Sequence, residues 1–126
     1  GLNVPQVKKM YIFLDTKREA QKLGLPYGFV ADPLGPAVER CYALLDYARN
    51  ENKLQDFLLS FARAVNSEGI RAETDTGMKV IVERCGLNWP TAKQQLNNDQ
   101  WKSEVDSNLN EMYQHGCWGV PSFCYA

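Results

Sequence analysis

The sequence predicts a mainly α protein that finishes on one short strand. Three observations predict it. Apolar residues recur at the helical interval through most of the chain, glycine and proline punctuate those stretches at their ends, and the last residues alternate after the Gly119-Val120-Pro121 turn. With 126 residues, 44% hydrophobic and 23% charged, the chain has the make-up of one ordinary globular domain with a real core.

Each element can be justified in order. Asn3 can cap a first helix, and Pro5 suits its first turn because proline's missing N–H would have no helical partner there. This helix should reach residue 23 and stop at Gly24. Val7, Met10, Tyr11 and Leu14 form an i, i+3, i+4, i+7 stripe, and Ile12 and Phe13 widen it enough to predict packing on two sides. Residues 25–36 carry three of the six prolines and form an ordered connection that Tyr27, Phe29 and Val30 should hold on the body.

A second helix over residues 37–50, with Val38, Cys41, Tyr42 and Leu45 on its stripe, should form a hairpin with a third over 53–68, which carries Leu54, Phe57, Leu58, Phe61, Ala62 and Val65 on one face. Asp75 or Thr76 should cap a short helix ending at Gly86, and Asn88-Trp89-Pro90 should open another to about residue 97. The last helix, over 99–115, places Trp101, Val105, Leu109 and Met112 about one turn apart and closes at Gly116. Residues 1–116 are thus the helical part and 117–126 the turn and the start of a strand. A lone strand must pair its backbone with something, so the sequence reads as cut from a larger protein that contains a sheet.

The formal charge of -1, without any basic stripe, predicts no attraction to nucleic acid or to an anionic membrane. No apolar run is long enough to span a bilayer and the N-terminus lacks the order of a signal peptide, which points to a cytoplasmic or otherwise reducing compartment. The four cysteines show neither Cys-x-x-Cys nor metal-ligand spacing, so no metal site is expected. Cys41 and Cys85 belong on helix core faces, whereas Cys117 and Cys124 flank the turn.

His115, the only histidine, sits where a helix end favours a cation, and a capping role outweighs acid–base catalysis because no nucleophile or carboxylate has a fixed spacing to it. Ser122 lacks a nucleophile elbow, and Asp15, Asp32, Glu39, Asp46 and Asp56 are too dispersed to name a carboxylate pair. Trp118, inside the turn, is a candidate to line a pocket beside Val120 and Pro121; simple packing is the plainer alternative.

The order of motifs carries a resemblance. Lys8-x-x-Tyr11-x-x-x-Asp15-x-x-Arg18, Leu23-Gly24-Leu25-Pro26, Ala31-Asp32-Pro33-x-Gly35, Glu39-Arg40-x-x-Ala43-Leu44, Cys85-Gly86-Leu87-x-Trp89 and Gly119-Val120-Pro121-Ser122-Phe123 resemble the 2-hydroxychromene-2-carboxylate isomerase family. That family is a branch of the kappa-class glutathione transferases within the DsbA-like thioredoxin fold. The resemblance implies that 1–116 is a helical insertion domain of a thioredoxin-like α/β fold, and that 117–126 is a cis-proline turn leading into a thioredoxin-fold strand. It also implies glutathione as cofactor, with the Val120 backbone and Pro121 on its cysteinyl part and Lys8 nearby; Trp118 is the fourth site candidate.

The family's catalytic Ser-Pro motif and its Gly-x-Asp-Arg stretch do not occur here, so no catalytic residue is assigned within these residues and the chain alone is expected to be inactive. The activity implied is that of a glutathione-dependent isomerase or transferase acting on an aromatic-degradation intermediate. The alternatives are a DsbA-like thiol–disulfide oxidoreductase and a stand-alone helical interaction module. The expected partner is a small aromatic substrate, with a homodimer left open.

Overall fold

The computed structural model describes residues 4–119, 122, 123 and 125. Seven helices follow one another: α1 (Gln6–Lys22), α2 (Pro36–Ala43), α3 (Leu45–Asn50), α4 (Leu54–Ser67), α5 (Asp75–Arg84), α6 (Trp89–Gln95) and α7 (Gln100–Gln114). The only β pairing among the described residues is an isolated parallel bridge between Phe29 and Glu68. Ser122, Phe123 and Tyr125 carry no strand, and the remainder of the expected strand lies outside the described residues, as do Asn3, Val120 and Pro121.

The core belongs to α2 through α6. Phe57, Leu44, Met78, Ile81, Val65 and Val82 are its largest fully buried side chains. Helix α4 presents Phe57, Ala64 and Val65 to this core, and α5 answers with Met78, Ile81 and Val82 at i, i+3 and i+4. One buried polar group stitches the pair: Ser60 Oγ donates to the Ile81 carbonyl at 2.8 Å and accepts from Arg84 Nε at 3.0 Å. A buried hydroxyl without such partners would cost free energy, so this seam fixes the register of α4 against α5.

Three expectations are corrected. The helix expected over 37–50 breaks at Leu44, whose N–H bonds Cys41 three residues back at 3.1 Å, a tighter turn than the α-helical one. That break turns Leu44 fully into the core and starts α3 on a new axis. The cap of α5 is Thr74 and neither Asp75 nor Thr76: its Oγ1 accepts the Gly77 N–H at 3.0 Å, while the Asp75 carboxylate pairs with Arg40 and Lys93. Finally, α1 is not packed on two sides among the described residues. Only Ala20 is buried on it, and Val7, Met10, Tyr11 and Leu14 remain 83%, 53%, 59% and 50% exposed.

Helix ends explain how the chain turns. At α3 the Asn52 N–H bonds Arg49 and the Lys53 N–H bonds Ala48, a closure that needs the left-handed φ of 55° at Asn52. The end of α4 is different. Its carbonyls at Val65, Asn66 and Ser67 accept from Ala31, Gly28 and Phe29 of the connection at 2.8, 3.2 and 3.2 Å. The 25–36 connection is therefore held by its backbone and by buried Ala31; Phe29, expected to anchor it, is 82% exposed.

Candidate functional site

The turn begins from a well-defined helix end. At the C-terminus of α7 the Gly116 N–H bonds the Tyr113 carbonyl at 2.9 Å and the Cys117 N–H bonds Met112 at 3.0 Å, with Gly116 at φ 73°. This double closure satisfies the last helical carbonyls and reverses the chain directly into Cys117-Trp118-Gly119. Beyond it, the Ser122 hydroxyl donates to the Gly119 carbonyl, spanning the two residues between them. The hydroxyl proton of Ser122 is thus engaged by backbone.

A cleft of about 410 Å³ lies beside this turn, lined by α7 residues Asn108, Glu111 and Met112, by His115 and Cys117, and by the terminal side chains Ser122, Phe123 and Tyr125. His115 is the C-cap of α7, at the helix end expected of it. Trp118 is not part of the cleft lining and stands 88% exposed. Lys8 lies in the first turns of α1, also exposed, and forms no ion pair among the described residues. The structure brings Lys8 and Trp118 into no shared cleft among those found, and Val120 and Pro121, the other two candidates, fall outside the described residues.

The cysteines divide as their positions on the helices predict. Burial pushes the Cys41 thiol up to about 12. Cys85 is raised in the same direction by burial, and its thiol donates to the Val82 carbonyl at 3.0 Å. Burial disfavours the thiolate at both, as fits residues of the core. Cys117 is half-buried and free, and Cys124 lies outside the described residues.

Two further clefts escaped the sequence reading. One, of about 490 Å³, runs along α4 and the end of α5 past Lys53, Asp56, Arg63 and Arg84. Its cations are already engaged: Arg63 and Arg84 share the Glu68 carboxylate at 2.8 and 2.6 Å, and Lys53 pairs with Asp56 at 3.4 Å. Glu68 is accordingly held below the usual carboxylate range, chiefly by its hydrogen bond from Arg84. The other, of about 530 Å³, lies between α1, the connection and the end of α4, and contains Lys9. Nothing in the linear sequence sets Lys9 apart from Lys8; the difference is made by the connection folding back onto one side of α1.

Among the described residues no group of three or more His, Cys, Asp or Glu could hold a metal ion, and no helix is long and apolar enough to cross a membrane. No curated protein and no solved structure matches the chain. A family model does: that of the DSBA-like thioredoxin domain matches residues 2–125. With helices over most of that span and the sequence Gly119-Val120-Pro121 near its end, the chain belongs to the DSBA-like thioredoxin domain family.

Proposed function

We propose that this chain is part of a glutathione-dependent isomerase or transferase of the 2-hydroxychromene-2-carboxylate isomerase type, acting on a conjugated intermediate of aromatic degradation. The observation that carries the reading is the order of sequence motifs from Lys8-x-x-Tyr11-x-x-x-Asp15-x-x-Arg18 to Gly119-Val120-Pro121, with Lys8 on an exposed helix face and in no ion pair among the described residues; the family match is compatible with it. Bound glutathione would supply a thiolate that adds reversibly to a conjugated carbonyl compound and leaves after bond rotation, so the reaction has no net redox change.

The chain's own residues fit part of that task. An ammonium without a carboxylate partner among the described residues is available to a carboxylate of an anionic tripeptide, and Lys8 is such a group. In this reading the Val120 backbone pairs with the cysteinyl unit of the tripeptide, Pro121 is cis and keeps that backbone turned outward, and Trp118 borders the ligand. Helix α1 forms the wall on which the ligand lies. Residues 1–116 then act as the helical insertion domain and 117–126 as the return into the sheet.

Calorimetric titration of the protein with glutathione tests this. Lys8→Gln should weaken binding about five- to tenfold, the worth of one partly exposed charge-assisted hydrogen bond; glutathione affinity that ignores this substitution counts against the reading. A thiol–disulfide oxidoreductase is the second reading, favoured by the family match itself. The two differ in the group that faces Val120 and Pro121. The 126 residues hold neither Ser-Pro nor Cys-x-x-Cys, so coding sequence upstream of Gly1 discriminates: Ser-Pro supports the first and Cys-x-x-Cys the second.

A further inference from the structure

The cleft along α4 and the end of α5 has three cations on its lining, Lys53, Arg63 and Arg84, against one carboxylate, Asp56. With Glu68 counted as well, since Arg63 and Arg84 share it, one positive charge is left over. These pairs engage the cations without exhausting their donors. Arg84 gives Nε to Ser60 Oγ at 3.0 Å, Nη2 to the Ser60 carbonyl at 2.7 Å and Nη1 to Glu68, so its guanidinium is fixed while two of its five N–H groups remain. Arg63 spends only Nε among the described residues. The Lys53 stem reaches across to the end of α5, where its Cε stands 3.8 Å from the place a Cβ on Gly86 would take, and its Nζ has one long contact, to Asp56 at 3.4 Å.

We propose that this cleft binds the dianion of phosphate or of a small phosphate monoester, seated between Lys53 and Arg84 with Arg63 adding to the field. Lys53 Nζ is held at the level of Asp56 and the Arg84 guanidinium at the level of Ser60, one turn or about 6 Å further along α4, a gap that a tetrahedral anion can bridge with a charge-assisted bond to each side. Because Ser60 and Glu68 already order Arg84, little side-chain freedom is lost when the anion arrives. The positive excess is local: the chain as a whole carries a formal charge of -1, which favours a small anion here over a long polyanion. Exposed Leu59 on the same lining offers an apolar surface to the organic part of an ester. None of these residues belongs to the glutathione reading, and the two sites stand independently.

Calorimetric titration with inorganic phosphate, phenyl phosphate and acetate, at matched ionic strength in chloride buffer, provides the test. Phosphate should bind with a Kd of about 5 mM or tighter and at least about fivefold more tightly than acetate. Lys53→Gln and Arg63→Gln, both at exposed positions, should each weaken phosphate about three- to tenfold, while Asp56→Asn, which removes the competing carboxylate, should tighten it about two- to threefold. Phenyl phosphate binding more tightly than phosphate, with the gain lost in Leu59→Ala, identifies an ester as the ligand; equal affinities identify the free ion. Lys8→Gln should leave phosphate unaffected and Lys53→Gln should leave glutathione unaffected, so each reading can fail without the other. No phosphate binding up to about 20 mM, acetate bound as well as phosphate, or full phosphate affinity in both Lys53→Gln and Arg63→Gln would overturn the proposal.

Discussion

Gly77 shows how a single position resists the rule that alanine improves a helix. A Cβ built there would lie 2.0 Å from the Arg71 carbonyl oxygen and 3.1 Å from Thr74 Oγ1. Propensity alone favours Gly→Ala inside a helix by about 1 kcal/mol, but the overlap is with backbone that cannot move without pulling the Thr74 cap away from the Gly77 N–H. The clash should win: Gly77→Ala is expected to lose about 1–3 kcal/mol of stability, read from the urea midpoint. The sequence marks Gly77 only as a weak helix former. Its reason appears when the Arg71–Thr74 turn, closed by the Thr74 hydroxyl on the Arg71 carbonyl at 2.8 Å, folds against it.

Elements were readable where the chain carries its own punctuation. Gly24, Gly86 and Gly116 end α1, α5 and α7 as their positions predict, and Asn88 accepts the Thr91 N–H at 3.0 Å to start α6. The misses are tertiary. Thr74, Asp75 and Thr76 are all acceptable caps by type, and the choice falls to Thr74 because Asp75 is drawn to Arg40 at 2.7 Å and Lys93 at 2.9 Å. Thr74→Ala should then cost about 1 kcal/mol, with Thr74→Ser close to neutral and the denaturant slope unchanged in both. If the alanine variant keeps full stability, the cap belongs to another residue. The break at Leu44 was hidden for the same reason: no glycine or proline announces it, and burial of Leu44 decides it.

At the scale of the whole molecule, three ion-paired carboxylates set the response to acid, two of them, Glu68 and Asp75, by tying elements together and Glu73 within the loop before α5. Glu68 is lowered mainly by Arg84, Asp75 by Lys93 and then Arg40, and Glu73 by Arg71. A carboxyl held lower in the folded state than in the unfolded chain stabilises the fold above the unfolded value, and loses that contribution as pH falls through the folded one. The melting temperature should therefore stay level from neutrality to about pH 5 and fall below about pH 4, where carboxylates in unfolded chains protonate. Glu68→Gln should lower the melting temperature at pH 7 and shrink the fall in acid; an unchanged acid profile would remove Glu68 from this account. The core of α2 to α6 could be anticipated from periodicity. The positions of α1 and α7 could not, because their apolar stripes announce burial that the described residues do not supply.

The capture of the α4 carbonyls by residues 28, 29 and 31 ties the life of the α1 cleft to that of the core. Ala31 is the only buried side chain of the connection, so lifting it away strips the last turn of α4 of its backbone partners. Opening of the cleft and fraying of α4 are thus one event seen from two sides.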